Sequence, residues 1–507
     1  MAIGSRNDPE MRRLTIAIRQ AGATGITAKQ LAGRMRVPPA QVEDRLRTMA
    51  ADRSIVRHGR GLWSSREYAD DLGPGFRGPA HYAAAFREEY GVAVVPVPTP
   101  IQFRPNETRP VHRWWPYVQG FSAEWVETVL RRYGVGPGSV VLDPFCGSGT
   151  VPAAARSLGA AAVGTDLLPI AAFVARAKLT WDVAPERLRS AAERILAGGD
   201  APRRPLPFLR ETRRQFAPAV LRRLLVLRDR VLAEPDDDLG SLLRLAFAGI
   251  LIDASRLKRA PCLGYTEKPG QDAATPDRLW RARIAAIADD LAALAARRAT
   301  WGPEGSIALG SVASRPIDPG SVDLAVTSPP YVNGMDYVMN YKIDLAWMGF
   351  VRSYPELARL RASMVACDNI PRSVAEAYAP TAGVRGDPWL AGIVREIERN
   401  IRRKGTYRRT DMARVVSKYF DDLVPAIDAV HRALRPGGRF VVVNGDSLIA
   451  GTYIPGDLLF ARLAARSGFR IESVEVARTR RSGQRRGFAL RESVLTLQKP
   501  AEGAGRK

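Results

Sequence analysis

The sequence is poor in the residues that bind metals and cross-link chains. Three cysteines, Cys146, Cys262 and Cys367, are scattered over 507 residues. Their spacing matches neither a zinc site nor a disulfide framework. The four histidines, His58, His81, His112 and His431, form no cluster, so no metal site is expected. The opening MAIGSRNDPEMRRL has no apolar core of a secretion signal. No apolar run reaches the length that spans a bilayer, and no internal repeat is visible. Acid is scarce beside base: 52 Asp and Glu against 76 Lys and Arg, a net charge of +24. These absences exclude a secreted, membrane-embedded or metal-stapled protein and place the chain in the cytoplasm. The basic surplus points to a polyanionic partner, most commonly nucleic acid. A solvated, arginine-rich surface is the plainer alternative. With 46% hydrophobic residues, the chain can bury the cores of two or three domains.

Residues 9–66 read as a winged helix-turn-helix domain. Leu14, Ile16, Ile18 and Ala21 suggest a first helix. Thr27 can cap a second through Leu31 to Met35, and Pro39 opens a third carrying Val42, Leu46 and Met49. Ile55 to Trp63 reads as a hairpin with a basic tip around Arg57 and Arg60. The third helix would meet DNA through Arg45 and Arg47, with the hairpin as wing. Such domains also bind protein. Residues 67–110, with VPVPTP from Val95, read as an extended linker.

Residues 111–500 alternate strand and helix. Strands are expected at Ser139–Leu142, Ala161–Gly164, Ile307–Leu309, Val322–Val326, Phe440–Val443, Ile471–Ala477 and Val494–Gln498. This is the pattern of a doubly wound, mostly parallel α/β sheet. The last two strands, joined by a short basic connection, read as an antiparallel hairpin at the sheet's edge. Two insertions interrupt the core: a helical one over 180–303, with helices at Ala217–Leu232 and Arg278–Arg298, and a mixed one over 351–410.

Two motifs carry chemistry. The first runs Asp143-Pro144-Phe145-Cys146-Gly147-Ser148-Gly149-Thr150, between a strand and a helix. Ligands of open α/β sheets bind beyond such strand ends. Gly147 and Gly149 let backbone approach a ligand, and Asp143 can accept from a ligand ammonium. Asp166, ending the next strand, suits two ribose hydroxyls. A dinucleotide site or a structural turn would show parts of this pattern, but the third glycine of a dinucleotide loop is missing. The second motif, Thr327-Ser328-Pro329-Pro330-Tyr331, follows an apolar strand. Ser328 Oγ and the Pro329 carbonyl can accept from the two hydrogens of an exocyclic amine and so favour its pyramidal, attacking geometry. Paired prolines stiffen the turn, and Tyr331 offers a face on which a flipped base can stack. By itself the tetrapeptide is equally a turn with a core tyrosine. In a sheet of this kind the two turns would share one crevice.

Together these residues resemble the amino-methyltransferase family of DNA methyltransferases. The resemblance covers roughly 111–178 and 306–500. It implies a class I S-adenosylmethionine methyltransferase (Rossmann-like) sheet, with S-adenosylmethionine held by Asp143 to Thr150 and by Asp166. It implies catalysis at Ser328, Pro329, Pro330 and Tyr331. The stretch His112-Arg113-Trp114-Trp115-Pro116-Tyr117 is similar to the family's upstream cofactor element, which implies that Trp115 and Tyr117 pack near the cofactor; a simple aromatic core plug is the other reading. The Ser form of the tetrapeptide is typical of cytosine-N4 enzymes, the Asp or Asn form of adenine-N6 enzymes. The family's Gly-Asp after the third strand is here Gly310-Ser311, which removes the usual carboxylate for the cofactor's adenine. Asn444-Gly445-Asp446 lies on the same face of the sheet.

The resemblance implies double-stranded DNA as substrate and a nucleoid-associated enzyme of a restriction-modification or phage-defence locus with a cognate partner. Arg478, Arg480, Arg481, Arg485 and Arg486 would hold phosphates. Arg402, Arg403, Lys404, Arg408 and Arg409 form a second basic cluster, and Arg256, Lys258 and Arg259 a third. Adenine-N6 methylation, RNA guanine-N2 methylation and a DNA-binding regulator on a retired methyltransferase fold are the alternatives.

Overall fold

The computed structural model describes residues 9–20, 26–51, 55–58, 62–65, 76–118, 120–198, 204–260, 262–367, 369–404, 407, 409–482 and 488–501. The chain opens with α1 (Pro9–Gln20), β1 (Ile26–Thr27), α2 (Ala28–Met35), α3 (Pro39–Ala51), β2 (Ile55–His58) and β3 (Leu62–Ser65). Thr27 and Gln30 form a reciprocal capping box at the start of α2. The strands pair antiparallel in the order β1-β3-β2. Leu14, Ile18, Leu31, Val42, Leu46, Met49 and Trp63 bury together as a separate core. The hairpin tip, including Arg60, lies outside the described residues.

The main sheet has eight strands, ordered β4-β14-β15-β11-β10-β5-β6-β9. They are β4 (Val94–Pro96), β5 (Val140–Asp143), β6 (Ala161–Asp166), β9 (Ser306–Leu309), β10 (Val322–Thr327), β11 (Leu434–Gly445), β14 (Arg470–Arg481) and β15 (Ala489–Gln498). From β11 to β9 every pairing is parallel. Val141, Leu142, Leu324, Ala325, Val326, Val441 and Val442 are essentially buried, because helices cover both faces of a parallel sheet. Those helices include α5 (Ala123–Arg132), α6 (Thr150–Ser157), α7 (Pro169–Ala177), α19 (Met412–Ala433) and α20 (Gly456–Arg466).

Two expectations are corrected at the sheet's far side. The expected extended linker over 67–110 is corrected where it is described, from 76 onward: α4 (Pro79–Tyr90) buries Tyr82 and Phe86, and β4 pairs parallel with β14. The β14–β15 pair is antiparallel as expected, but it is not the edge. β15 inserts between β14 and β11, and β4 lies outside both. Val95 and Val97 remain exposed, so β4 lacks the buried apolar run that marks a strand in sequence.

The first insertion is helical: α8 (Pro185–Leu196), α9 (Thr212–Gln215), α10 (Pro218–Val231), α11 (Asp238–Ile250) and α12 (Thr275–Ala295), with a small hairpin of β7 (Leu257–Ala260) and β8 (Cys262–Tyr265). Its stem is pinned by aromatics. Trp181 meets Trp301 edge to face at 5.3 Å, and the Arg156 guanidinium lies over both rings. The second insertion begins earlier than the expected residue 351: from Tyr337 it contributes α13 (Tyr337–Asn340), α14 (Lys342–Trp347), α15 (Tyr354–Ser363), α16 (Arg372–Ala377), α17 (Ala382–Arg385) and α18 (Pro388–Lys404). The hairpin of β12 (Ser447–Ile449) and β13 (Thr452–Ile454) completes the elements. Among the described residues no helix is long and apolar enough to cross a membrane, and no group of His, Cys, Asp or Glu could hold a metal ion.

One buried carboxylate fastens the helical insertion to the upstream aromatic stretch. Asp290 of α12, 2% exposed, accepts from Val111 N (2.9 Å), Trp114 Nε1 (2.8 Å) and both Nε (3.1 Å) and Nη2 (2.6 Å) of Arg113. Removing it strands a half-buried cation and two buried donors. Asp290→Ala is expected to lower the unfolding free energy by about 3 kcal/mol, read by urea denaturation. The exposed neighbour change Asp289→Ala should stay within about 0.5 kcal/mol.

Candidate functional site

The glycine turn is held from below. After β5 the chain turns through residues 144–149 into α6, with Gly147 at φ +49° and Gly149 at φ +80°. A Cβ on Gly149 would stand 2.9 Å from Ala175 Cα, and one on Gly147 3.0 Å from the Tyr117 ring. Both positions therefore require glycine, for conformation and for space. Cys146 N donates to the Thr165 carbonyl (2.9 Å) and Thr165 Oγ1 to the Pro144 carbonyl (2.9 Å). The Asp166 carboxylate accepts from Gly147 N and Leu168 N, each at 2.8 Å. Burial pushes the Asp166 carboxyl up to about 6, although these two amides favour its charged form.

The second turn is tied to the first. β10 and β5 are neighbours, with Leu324 opposite Val141 and Ala325 opposite Leu142. At their ends the fully buried Thr327 donates its hydroxyl to Asp143 Oδ1 at 2.7 Å, and the same oxygen accepts from Phe145 N at 3.1 Å. Asp143 is 2% exposed. Burial pushes its carboxyl up to about 7, the Thr327 and Phe145 hydrogen bonds pull down, and the charge of Asp166 pushes up further.

Two cavities open where these turns meet. The larger, about 480 Å³, has walls that include Tyr117, Pro144, Phe145, Asp166, Leu168 and Ser311, with α15 and α19 closing the far side. The smaller, about 160 Å³, is walled by Gln102, Tyr331, Asn333, Arg478, Arg480 and Glu492 among others. Ser328 and Tyr337 line both. Pro329 faces the smaller cavity and Pro330 the larger. Tyr331 donates its hydroxyl to Glu492 Oε1 at 2.7 Å, and Glu492 also pairs with Arg478. Burial and the Glu492 charge hold the Tyr331 phenol well above its ordinary value.

The expected site residues fall into distinct places. Ser328, Pro329, Pro330 and Tyr331 all line the cavities, as do Pro144, Phe145, Asp166 and Tyr117. Gly147, Ser148, Gly149 and Thr150 build the turn beneath; Ser148 Oγ is buried there without a partner. Trp115 does not reach either cavity. It is fully buried one layer behind, 5.2 Å from Tyr341, which in turn stacks on Tyr117 at 5.6 Å and 12°. Asp446, on the sheet's active face, is also fully buried, and it pairs with Arg491 rather than entering a cavity.

Several arginines expected at phosphates are engaged within the protein. Arg45 pairs with Glu10, while Arg47 is exposed. Arg259 pairs with the buried Asp344 and lies 4.2 Å over the Tyr341 ring. Arg409 pairs with Asp411. Arg480 turns into the smaller cavity, while Arg481 is exposed. Arg408, Arg485 and Arg486 lie outside the described residues. Glu492 and Asp290 were not anticipated. The signal for Glu492 was legible: Arg491-Glu492-Ser493 sets three polar residues inside an otherwise apolar strand. Asp290 gave none, since an acid on an amphipathic helix ordinarily faces solvent.

Residues 104–171 match the family model described as DNA methylase. The chain is similar to the Type II methyltransferase M.BsoBI of Geobacillus stearothermophilus, 23% identical over 79% of this chain and 88% of that one. It is similar also to the Type II methyltransferase M.AvaI of Nostoc sp., 25% identical over 79% of this chain and 89% of that one. Among solved structures, geranyl diphosphate C-methyltransferase from Streptomyces coelicolor A3(2) superposes over 82% of this chain and 92% of its own, with 9% identity and a TM-score of 0.29.

The link between the turns can be probed directly. Thr327→Val removes the donor that favours the charged form of Asp143. The Asp143 carboxyl is expected to titrate above its present value of about 7, seen by carboxyl-selective NMR. Stability should fall by about 1–2 kcal/mol, and the Phe145 and Gly147 amides should exchange faster with solvent.

Proposed function

Because the chain belongs to the amino-methyltransferase family of DNA methyltransferases, we propose that it transfers a methyl group from S-adenosylmethionine to an exocyclic amine of a DNA base, the N4 amine of cytosine. The observation that carries this reading is Ser328, which forms part of the wall of two cavities at once. The methyl donor occupies the larger cavity and the extruded base the smaller.

The residues present fit the donor. Asp166, braced by two amides at the larger cavity, accepts from the ribose hydroxyls. Tyr117, Phe145 and Leu168 give apolar walls, and Ser148 Oγ offers an unused donor in the turn. Asp143, 2% exposed, lines neither cavity, and we assign it the ammonium as the carboxylate that precedes Pro144 at the wall. When bound, S-adenosylmethionine would supply a methyl group on a sulfonium; the C–S electron pair would stay on sulfur as the N–C bond forms, and the proton that the methylated amine must lose would pass to solvent. Ser328 Oγ and the Pro329 carbonyl accept from the amine's two hydrogens and draw its lone pair out of conjugation. Tyr331, its hydroxyl fixed on Glu492, presents its ring to the base. No covalent enzyme–base bond is required, and the thiol of Cys146, buried and held well above its ordinary pKa, is not used as a nucleophile.

The serine form of the tetrapeptide favours cytosine over adenine. The N-terminal unit, read as a winged helix-turn-helix, adds a second contact with the duplex through the exposed Arg47 on α3. The relatives' Type II names support a place in a restriction-modification system with a cognate nuclease.

The defining experiment is incubation with tritiated S-adenosylmethionine and separate DNA and RNA pools, followed by nucleoside mass spectrometry. N4-methylcytosine from DNA is expected, and label in RNA alone or in adenine would overturn the reading. Ser328→Ala and Tyr331→Ala should lose turnover by roughly 100-fold, with calorimetric affinity for S-adenosylhomocysteine unchanged.

Cofactor affinity should depend on pH. An ammonium binds the ionised form of Asp143, which is half protonated near 7 in the free protein. Affinity for S-adenosylhomocysteine should therefore rise as pH climbs through about 7, level off above about 8, and fall towards pH 6 by up to about tenfold per unit. Asp143→Asn should flatten that slope. Asp166→Ala should weaken binding roughly 10- to 100-fold at every pH.

A further inference from the structure

We propose that Arg480 reads the base: its guanidinium donates to the ring nitrogen and carbonyl beside the methylated amine, and so selects cytosine. The proposal rests on the cytosine reading above and adds the residue that enforces it.

Arg480 stands among groups that are already satisfied. In the smaller cavity Glu492 is taken by the Tyr331 hydroxyl and by Arg478. Arg480 Nη2 donates to the Asp446 carbonyl at 2.6 Å, and Asp446 is itself fixed by Arg491. This holds the Arg480 guanidinium 5.9 Å from the centre of the Tyr331 ring. It lies over that ring as a cation at the outer limit of such a contact, more loosely than Arg259 at 4.2 Å over Tyr341. Arg480 Nε is buried and has no partner. A buried donor without an acceptor is costly, and the side chain that carries it lines the cavity assigned to the base.

A guanidinium only donates and does not lose its proton. It therefore tests the base for acceptors. Beside its N4 amine cytosine carries two adjacent acceptors, N3 and O2. Beside its N6 amine adenine carries one, N1, followed by a C–H. Guanine places an N–H donor beside its amine. With the amine held at Ser328 and the ring on Tyr331, cytosine alone among these offers the guanidinium two acceptors in a row. A fixed donor rejects a base that leaves it unpaired. Arg480 is thus a base contact rather than a phosphate contact.

The test is a coupling measurement on the full chain. Wild type, Arg480→Gln and Arg480→Lys are assayed on amplified DNA carrying either cytosine or 2-thiocytosine, whose sulfur is a poor acceptor. Wild type is expected to lose roughly 10- to 100-fold in kcat/KM on the thio DNA. Both variants should be slower on ordinary DNA and nearly indifferent to the thio change, with S-adenosylhomocysteine affinity unchanged as the sign of an intact fold. If the variants are as sensitive to sulfur as wild type, the base-reading role is overturned while the methylation reading stands. The same holds if the variants keep their rate but show a shallower salt dependence of DNA binding, the mark of a lost phosphate contact. If wild type makes no N4-methylcytosine on ordinary DNA, the cytosine reading itself falls, and with it this inference.

Discussion

The hydrogen bond from Thr327 to Asp143 is the constraint on which the site depends. It joins the ends of two neighbouring strands, and each strand carries one half of the chemistry. Asp143 leads into the glycine turn, and Thr327 leads into the serine-proline turn. Because the bond is buried, neither partner can exchange it for water, and the two turns are held in one relative position. Methyl transfer needs donor, methyl and nitrogen in line. A shift of one turn against the other would open the angle long before it broke the fold.

Support for this junction comes from outside the sheet. The upstream aromatic stretch reaches the glycine turn through Tyr117, which packs against Gly147. Tyr117 rests on Tyr341, and Tyr341 on Arg259, so both insertions buttress the ring that walls the donor cavity. Lys178, fully buried, donates to the His112 and Trp115 carbonyls. Burial brings its ammonium down to about 7. The long insertions are structural partners of the site, in addition to any role in choosing DNA.

Sequence reading was reliable where periodicity is strong and weak where a residue's role depends on distant partners. The five parallel strands around β5 and β10 are legible because burial on both faces leaves unbroken apolar runs such as VVLD and VDLAVT. β4 was missed because VVP, exposed and proline-bound, looks like a linker until β14 offers its edge. The two turns were legible as motifs. The charged wall of the smaller cavity was not, because Arg478, Arg480 and Glu492 come from two strands whose adjacency follows only from the insertion of β15. Basic residues in sequence suggest phosphates. Arg259 and Arg409 show that half-buried arginine is as often a mortar between carboxylates and rings.

The placement of β15 has a bearing on how this molecule is made. It is the sheet's final strand in sequence, yet it occupies an interior position between β11 and β14. During synthesis the parallel half, from β11 to β9, can assemble around the glycine turn while a gap remains beside it. Until residues beyond 489 emerge there is no Glu492 to hold Tyr331, and β14 has β4 on one side but lacks the strand opposite its arginines. On the function proposed above, a nascent or prematurely terminated chain would hold the cavity assigned to the donor without the wall assigned to the base, and would not act on DNA until the last strand closes the sheet.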